Sequence, residues 1–346
     1  MENRKQVVNK SKIIQGLKLA IVLSLLISSF IIFITFDRKA LGDILDNIQV
    51  EFFLYILLLV LLQWSAASLL LKTLVKAVGD KIKFRTAFQI YLSGAFVANV
   101  TPFASGGAPF QIYFLHKKGV NIGKSTVVVV VQLLLRLFFF GFMTLVFLLF
   151  FGDIVSPGIL PDTFFYIAFG GGLLVSLGII LLTLLPGVAE KIVNLLLRVA
   201  RIRRFFKKNR RAKKLLVKAR RELKEFRYSL VVISKKKKLL LAAAFFTVMN
   251  WSFLFLIMPI LLVGLGGGSH FFQAYVMQTI FYLVLPFMPT PGASGIAEIG
   301  FASLFVSFIP GNLIGLVMFG WRLFTFYLLL LAGGFFAFRE IGSFRS

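Results

Sequence analysis

A chain of 346 residues in which 59% of side chains are hydrophobic, with a mean hydropathy of +0.92, is excluded from the water-soluble globular class. Its apolar runs reach about 20 residues or more and need the bilayer as solvent. The net charge of +26 is explained by membrane orientation and anionic lipid, without nucleic acid, and the absence of cysteine rules out disulfides, thiolate metal sites and a cysteine nucleophile.

In chain order, apolar periodicity predicts full spans over about 16–36, 52–76, 125–151, 162–185, 239–264 and 312–338. Two further stretches, about 86–116 and 271–309, are apolar but broken by proline and glycine. Sidedness follows from the flanking lysines and arginines. The leading segment carries Arg4, Lys5, Lys10, Lys12 and Lys18 and is expected in the cytoplasm, whereas the loop after the first span is acidic and suits the outside. Basic residues flank the first broken stretch at both ends: Lys72, Lys76, Lys81, Lys83 and Arg85 precede it, and Lys117, Lys118 and Lys124 follow it. It must therefore enter and leave by one face, as a re-entrant hairpin. The second broken stretch begins and ends beside uncharged external loops, so it enters from the opposite face. The last span then returns Arg339 and Arg345, and the C-terminus, to the cytoplasm.

The two hairpins carry related text. "TPFASGGAPFQ" runs from Thr101 to Gln111 and "PTPGASGIAE" from Pro289 to Glu298. Pairing Pro102 with Pro289 gives nine positions to the polar residue in each copy, Gln111 or Glu298. An arginine follows 25 residues after Gln111, at Arg136, and 24 residues after Glu298, at Arg322. The fold class expected is an all-α polytopic membrane protein of about six full spans plus two re-entrant helical hairpins arranged as an inverted repeat. Its parts are residues 1–189 (spans 1–3, the first hairpin and span 4), a basic cytoplasmic linker at 190–238, and the remainder of the second repeat at 239–346.

Arg136 and Arg322 fall deep inside spans. A mid-depth arginine costs about 2.5–3.5 kcal/mol on insertion scales, so each needs a partner or a wet cavity. Glu298 can neutralise one of them, and a guanidinium can grip a phosphate through two parallel hydrogen bonds. The candidate substrate-binding set is Arg136, Arg322, Glu298 and Gln111 with the hairpin residues Pro102, Ser105, Gly106, Gly107 and Pro109, and Pro289, Pro291, Gly292, Ser294 and Gly295. The structural alternative is that the arginines are internal ion-pair partners only. His116 and His270 are the only histidines and are far apart in the chain, so no metal site and no cofactor are expected. Neither a catalytic triad nor a phosphate-binding loop is present, and the chain is not expected to be an enzyme.

The linker holds the heaviest basic run, including Arg203, Arg204, Lys207, Lys208, Arg210 and Arg211. From Ala212 onward, Leu215, Leu216, Ala219, Leu223 and Phe226 recur at helical spacing. An amphipathic helix on anionic headgroups is expected, with a solvated positive-inside loop as the plainer reading.

The pairing of Pro102, Gly106, Gly107 and Pro109 with Pro289, Pro291, Gly292, Gly295 and Glu298 resembles the flippase-like membrane family, which includes the membrane module of lysylphosphatidylglycerol synthases. Ala293 stands where that family commonly has a second glycine, and Ala297 where it often has an arginine. The resemblance implies lipid translocation between leaflets, with membrane phospholipids, anionic ones above all, as partners. No soluble synthase domain is recognised in the chain. The expected function is a flippase for a phosphate-bearing lipid in the plasma membrane. A secondary transporter of a small anionic or organic solute and a scaffold recruiting a lipid-modifying enzyme remain as alternatives, and no nucleic-acid partner is expected.

Overall fold

The computed structural model describes residues 50–151, 225–226 and 228–342, together with residues 22, 26, 170 and 174, which are helical. Most of the expected spans at about 16–36 and 162–185 lies outside the described residues, and so does the linker segment with Arg203, Arg204, Lys207, Lys208, Arg210 and Arg211. Among the described residues all regular structure is helical. The elements are α1 (Val50–Ala77), α2 (Phe84–Asn99), α3 (Gly107–Lys117), α4 (Ile122–Phe150), α5 (Lys237–Gly264), α6 (Phe271–Val284), α7 (Ile296–Phe305), α8 (Ile314–Arg322) and α9 (Leu328–Gly342). Helices α8 and α9 form one long rod joined by a π-helical turn at Leu323–Tyr327. Four stretches, Glu51–Ala77, Ile122–Phe147, Lys237–Gly264 and Ile314–Glu340, are long and apolar enough to cross a bilayer. The chain is a polytopic helical membrane protein.

Each long helix begins or ends where its sequence allows. Asn121 caps α4, its Oδ1 accepting the Gly123 N–H at 2.7 Å. Pro259 sits within α5 without ending it. In lipid the backbone must satisfy itself, and association between helices rests on close packing and interhelical hydrogen bonds. Both are visible. A Cβ on Gly333 would stand 2.4 Å from the Leu92 carbonyl oxygen, so α9 lies directly on the backbone of α2. Gln63 on α1 donates to Asn250 Oδ1 on α5 and to the Tyr91 hydroxyl on α2, each at 2.8 Å.

The core divides along the length of the bundle. Ile56, Val60 and Trp64 of α1 pack with α6, α7, α8, the second half of α5 and Phe139, Phe140 and Phe147 of α4. Leu70, Leu71, Leu74, Val75 and Ala77 of α1 pack with α2, α3, Val127, Val128, Val129 and Val131 of α4 and the α9 residues Leu330 and Ala337. The first broken stretch, α2–α3, belongs to the second cluster, and the second, α6–α7, to the first. The two stretches thus occupy opposite halves of the bundle and meet in its middle, where the Phe103 N–H donates to the Met288 carbonyl at 3.2 Å.

Residues 228–235 are helical, and Phe226, Leu230 and Ile233 pack against the second cluster. Phe226 was expected on a lipid-facing stripe. It docks instead on protein, because the end of the linker runs directly into α5 and lies beside the bundle.

Candidate functional site

The two hairpin tips are built alike. Thr101-Pro102-Phe103-Ala104-Ser105-Gly106 and Thr290-Pro291-Gly292-Ala293-Ser294-Gly295 differ at one position in six and stand 189 residues apart. In both, proline opens a single tight turn and the next two residues are left-handed: Phe103 (φ 55°) and Ala104 (φ 51°), then Gly292 (φ 62°) and Ala293 (φ 52°). For residues other than glycine this conformation costs roughly 1–2 kcal/mol each, and such strain persists only where the surroundings impose it. At Gly292 glycine is also sterically required, since a Cβ would lie 2.4 Å from the Phe326 ring and 3.1 Å from the Asn99 carbonyl oxygen.

This shared turn corrects the register expected from the sequence. Pro102 corresponds to Pro291, not to Pro289, and the counterpart of Glu298 is Pro109, not Gln111. Glu298 and Pro109 each take the third position of the helix leaving the tip, α7 or α3. Gln111 lies half a turn further on and packs across α2: a Cβ on Gly94 would be 2.5 Å from its Cγ.

The exchange of proline for glutamate reorganises the second tip. In the first, the Gly106 N–H donates to Thr101 Oγ1 at 3.0 Å while that hydroxyl donates to the Val97 carbonyl at 2.8 Å. In the second, the equivalent Gly295 N–H donates to Glu298 Oε2 at 2.7 Å, and the hydroxyl of Thr290 is buried with no hydrogen-bond partner among the described residues. Glu298, fully buried, also holds Arg322. Arg322 Nη2 donates to Oε2 at 3.0 Å, and Nε stands 2.9 Å from Oε1, within ion-pair distance although its N–H is not aimed at that oxygen. Arg322 Nη1 donates to the Gly292 carbonyl at 3.3 Å. The guanidinium is walled by Trp321 and Phe326, whose ring centroids are 5.1 Å and 4.8 Å from its central carbon. The π-turn starts immediately after it, the kind of helix irregularity that often marks a functional position.

Arg136 has different surroundings. It lies midway along α4, about 21 Å of helical rise from either end. Among the described residues it has no ion-pair partner. It lines a cavity of about 210 Å³ with Phe103 of the first tip, Leu133, Leu137 and Phe140 of its own helix, and Tyr282, Leu283, Pro286 and Phe287 of the second hairpin. This is the volume of about seven waters, and among the described residues no carboxylate lines it. Phe103 corresponds to Gly292, so both arginines stand beside the left-handed residue of a hairpin tip.

The remaining expected residues are placed as follows. Pro102, Ser105 and Pro109 are exposed and Gly107 is buried against α2, whereas in the second tip Pro291, Ser294 and Gly295 are buried and Pro289 is exposed. His116 Nδ1 lies 3.1 Å from the Val120 carbonyl and His270 Nδ1 3.0 Å from Gln273 Oε1. Tyr282 was not singled out in the sequence. Among the described residues it is the one hydroxyl-bearing side chain that lines the cavity, and it also packs on Trp321, with ring centroids 6.3 Å apart. Nothing in "FYLVLP" distinguishes it from a packing aromatic.

The lysylphosphatidylglycerol synthase TM region matches residues 21–333 of the chain. A UPF0104 membrane protein from Archaeoglobus fulgidus is 30% identical over 271 residues, which cover 76% of this chain and 79% of that protein. No solved structure matches. Both described hairpins and both arginines fall within the matched span, and the chain belongs to the lysylphosphatidylglycerol synthase TM region family.

Proposed function

We propose that this protein is a flippase, moving a phosphate-bearing lipid between leaflets with the headgroup held at Arg136. One observation carries the reading: an arginine with no carboxylate partner among the described residues faces a cavity at the midpoint of a membrane-spanning helix. Leaving that charge bare in lipid is costly, and an anionic headgroup removes the cost while its acyl chains stay in the bilayer. The expectation that both arginines clamp one headgroup is narrowed here to Arg136, since Glu298 already occupies Arg322. In this reading about six spans and two hairpins form an inverted repeat, both termini are cytoplasmic in the plasma membrane, and rocking one half against the other opens the site to each leaflet in turn. The hairpins' placement in opposite halves of the core supports this arrangement. The protein carries its substrate across and does no chemistry on it.

The test is purified protein in liposomes with acyl-labelled phospholipids and leaflet-selective quenching. Protein-dependent loss of leaflet asymmetry is expected for the wild type and not for Arg136→Gln. Equal rates in the two proteins sink the assignment.

A further inference from the structure

We infer that the outer face of α5 is a binding site for an anionic phospholipid that stays with the protein, its phosphate on Lys237 and Lys238 and its acyl chains along Leu241, Phe245 and Val248. None of these residues lines the Arg136 cavity, and the site stands whether or not the protein moves lipid.

Helical spacing builds the face. Lys238, Leu241, Phe245 and Val248 follow one another at intervals of three, four and three residues, which puts them on one stripe of α5. All four are exposed, Leu241 to 71% and Phe245 to 57%, while Ala243, Thr247 and Asn250 of the same helix are buried in the bundle. Asn250 lies midway along α5, and Lys238 is twelve residues, about 18 Å of helical rise, towards its start. Half of a bilayer's hydrocarbon core is about 15 Å thick. The lysine therefore stands at phosphate depth when the three apolar residues below it stand among acyl chains.

A second helix brings a cation to the same level. Helices α1 and α5 run antiparallel, joined by the hydrogen bond from Gln63 to Asn250 and by Phe52 lying against Gly264. Lys76 lies thirteen residues beyond Gln63 and Lys237 thirteen residues before Asn250, so the last turn of α1 and the first turn of α5 are level. Packed helices are about 8–10 Å apart, close to one Debye length, and Lys76 adds to the potential at Lys237. The chain leading into α5 raises that potential further, since residues 191–227 hold sixteen lysines and arginines against two glutamates.

Membrane orientation accounts for cations at this end of the bundle, but not for their place at the head of an exposed apolar stripe. A soluble polyanion would match the charge and leave the stripe uncovered. A zwitterionic phospholipid would match the stripe and set its own ammonium beside the lysines. An anionic phospholipid matches both parts at once.

The test uses the full chain in vesicles of phosphatidylglycerol and phosphatidylcholine in equal amounts, one lipid at a time carrying a photoreactive diazirine within an acyl chain. After irradiation, mass spectrometry counts adducts on the peptide that contains Leu241 to Val248. Phosphatidylglycerol is expected to give at least about tenfold more adducts there than phosphatidylcholine, because each lysine near an anionic headgroup is worth a factor of about five. Lys237→Gln with Lys238→Gln is expected to bring that ratio close to one, and Lys237→Arg with Lys238→Arg to keep it. Lys81→Gln with Lys83→Gln removes the same charge from the turn between α1 and α2 and is expected to leave most of the preference. Equal adducts from the two lipids on the wild type, or an unchanged ratio in the Lys237 and Lys238 glutamine variant, overturns the inference. Equal loss in the Lys81 and Lys83 variant also overturns it, by assigning the preference to the charge of the whole end. If excess glycerol phosphate at constant ionic strength abolishes the preference, the site takes a free phosphate, and the lipid is removed.

Discussion

Two arginines at the middle of the bundle stand in different surroundings, and only one of them faces a carboxylate among the described residues. Arg322 is closed in by a carboxylate, a carbonyl and two aromatic faces, and removing one partner of such a buried pair leaves an uncompensated charge, which costs about 3–5 kcal/mol. Glu298→Gln and Arg322→Gln are therefore expected to lower the thermal midpoint of the detergent-solubilised protein sharply, by an amount to be read from fluorescence-detected melting. Arg136→Gln removes an unpaired charge and is expected to melt at or above the wild-type temperature. Loss of stability in Arg136→Gln comparable with Glu298→Gln would return Arg136 to a structural role.

At the scale of the hairpins, one backbone N–H is capped in two ways, and the consequence is measurable. Thr101 holds the Gly106 N–H, so Thr101→Val is expected to cost about 1 kcal/mol, the ordinary value of a lost cap. The Thr290 hydroxyl has no hydrogen-bond partner among the described residues, so Thr290→Val is expected to be neutral or slightly stabilising in the same melting assay. Equal destabilisation by both would mean that Thr290 holds the second tip as Thr101 holds the first.

Much of this organisation is legible in the sequence, and what is not has a physical reason. Proline and glycine inside apolar runs announce the broken stretches, and the described helices begin and end within a few residues of expectation, as α1 at Val50–Ala77 and α5 at Lys237–Gly264 illustrate. The depth of both arginines follows from counting residues along their spans. Which arginine is paired depends on register, however, and register is set by the left-handed turn after Pro102 and Pro291, not by the distance between a proline and the next polar side chain. The cavity is a tertiary product: Phe103 and Phe287 come from hairpins far apart in the chain, and only their meeting encloses Arg136.

For the molecule as a whole, the meeting of the tips is the feature on which transport by alternating access depends. The Phe103 N–H reaches the Met288 carbonyl at 3.2 Å, and the Asn99 carbonyl lies against Gly292, so the halves are in contact at the centre of the bundle. Rocking one half against the other must part these contacts to open a path from each leaflet to Arg136. The chain has no cysteine, so a pair introduced at Phe103 and Met288 can be oxidised, or bridged by a short reagent, without background. In the doubly substituted protein, oxidation is expected to arrest movement of the acyl-labelled phospholipids and reduction to restore it, each followed by quenching in the same liposomes. If the oxidised protein, shown by mass shift to be fully linked, moves lipid as fast as the reduced one, the tips do not separate during transport. The headgroup would then have to pass beside a fixed centre, and the two halves would act as a static frame.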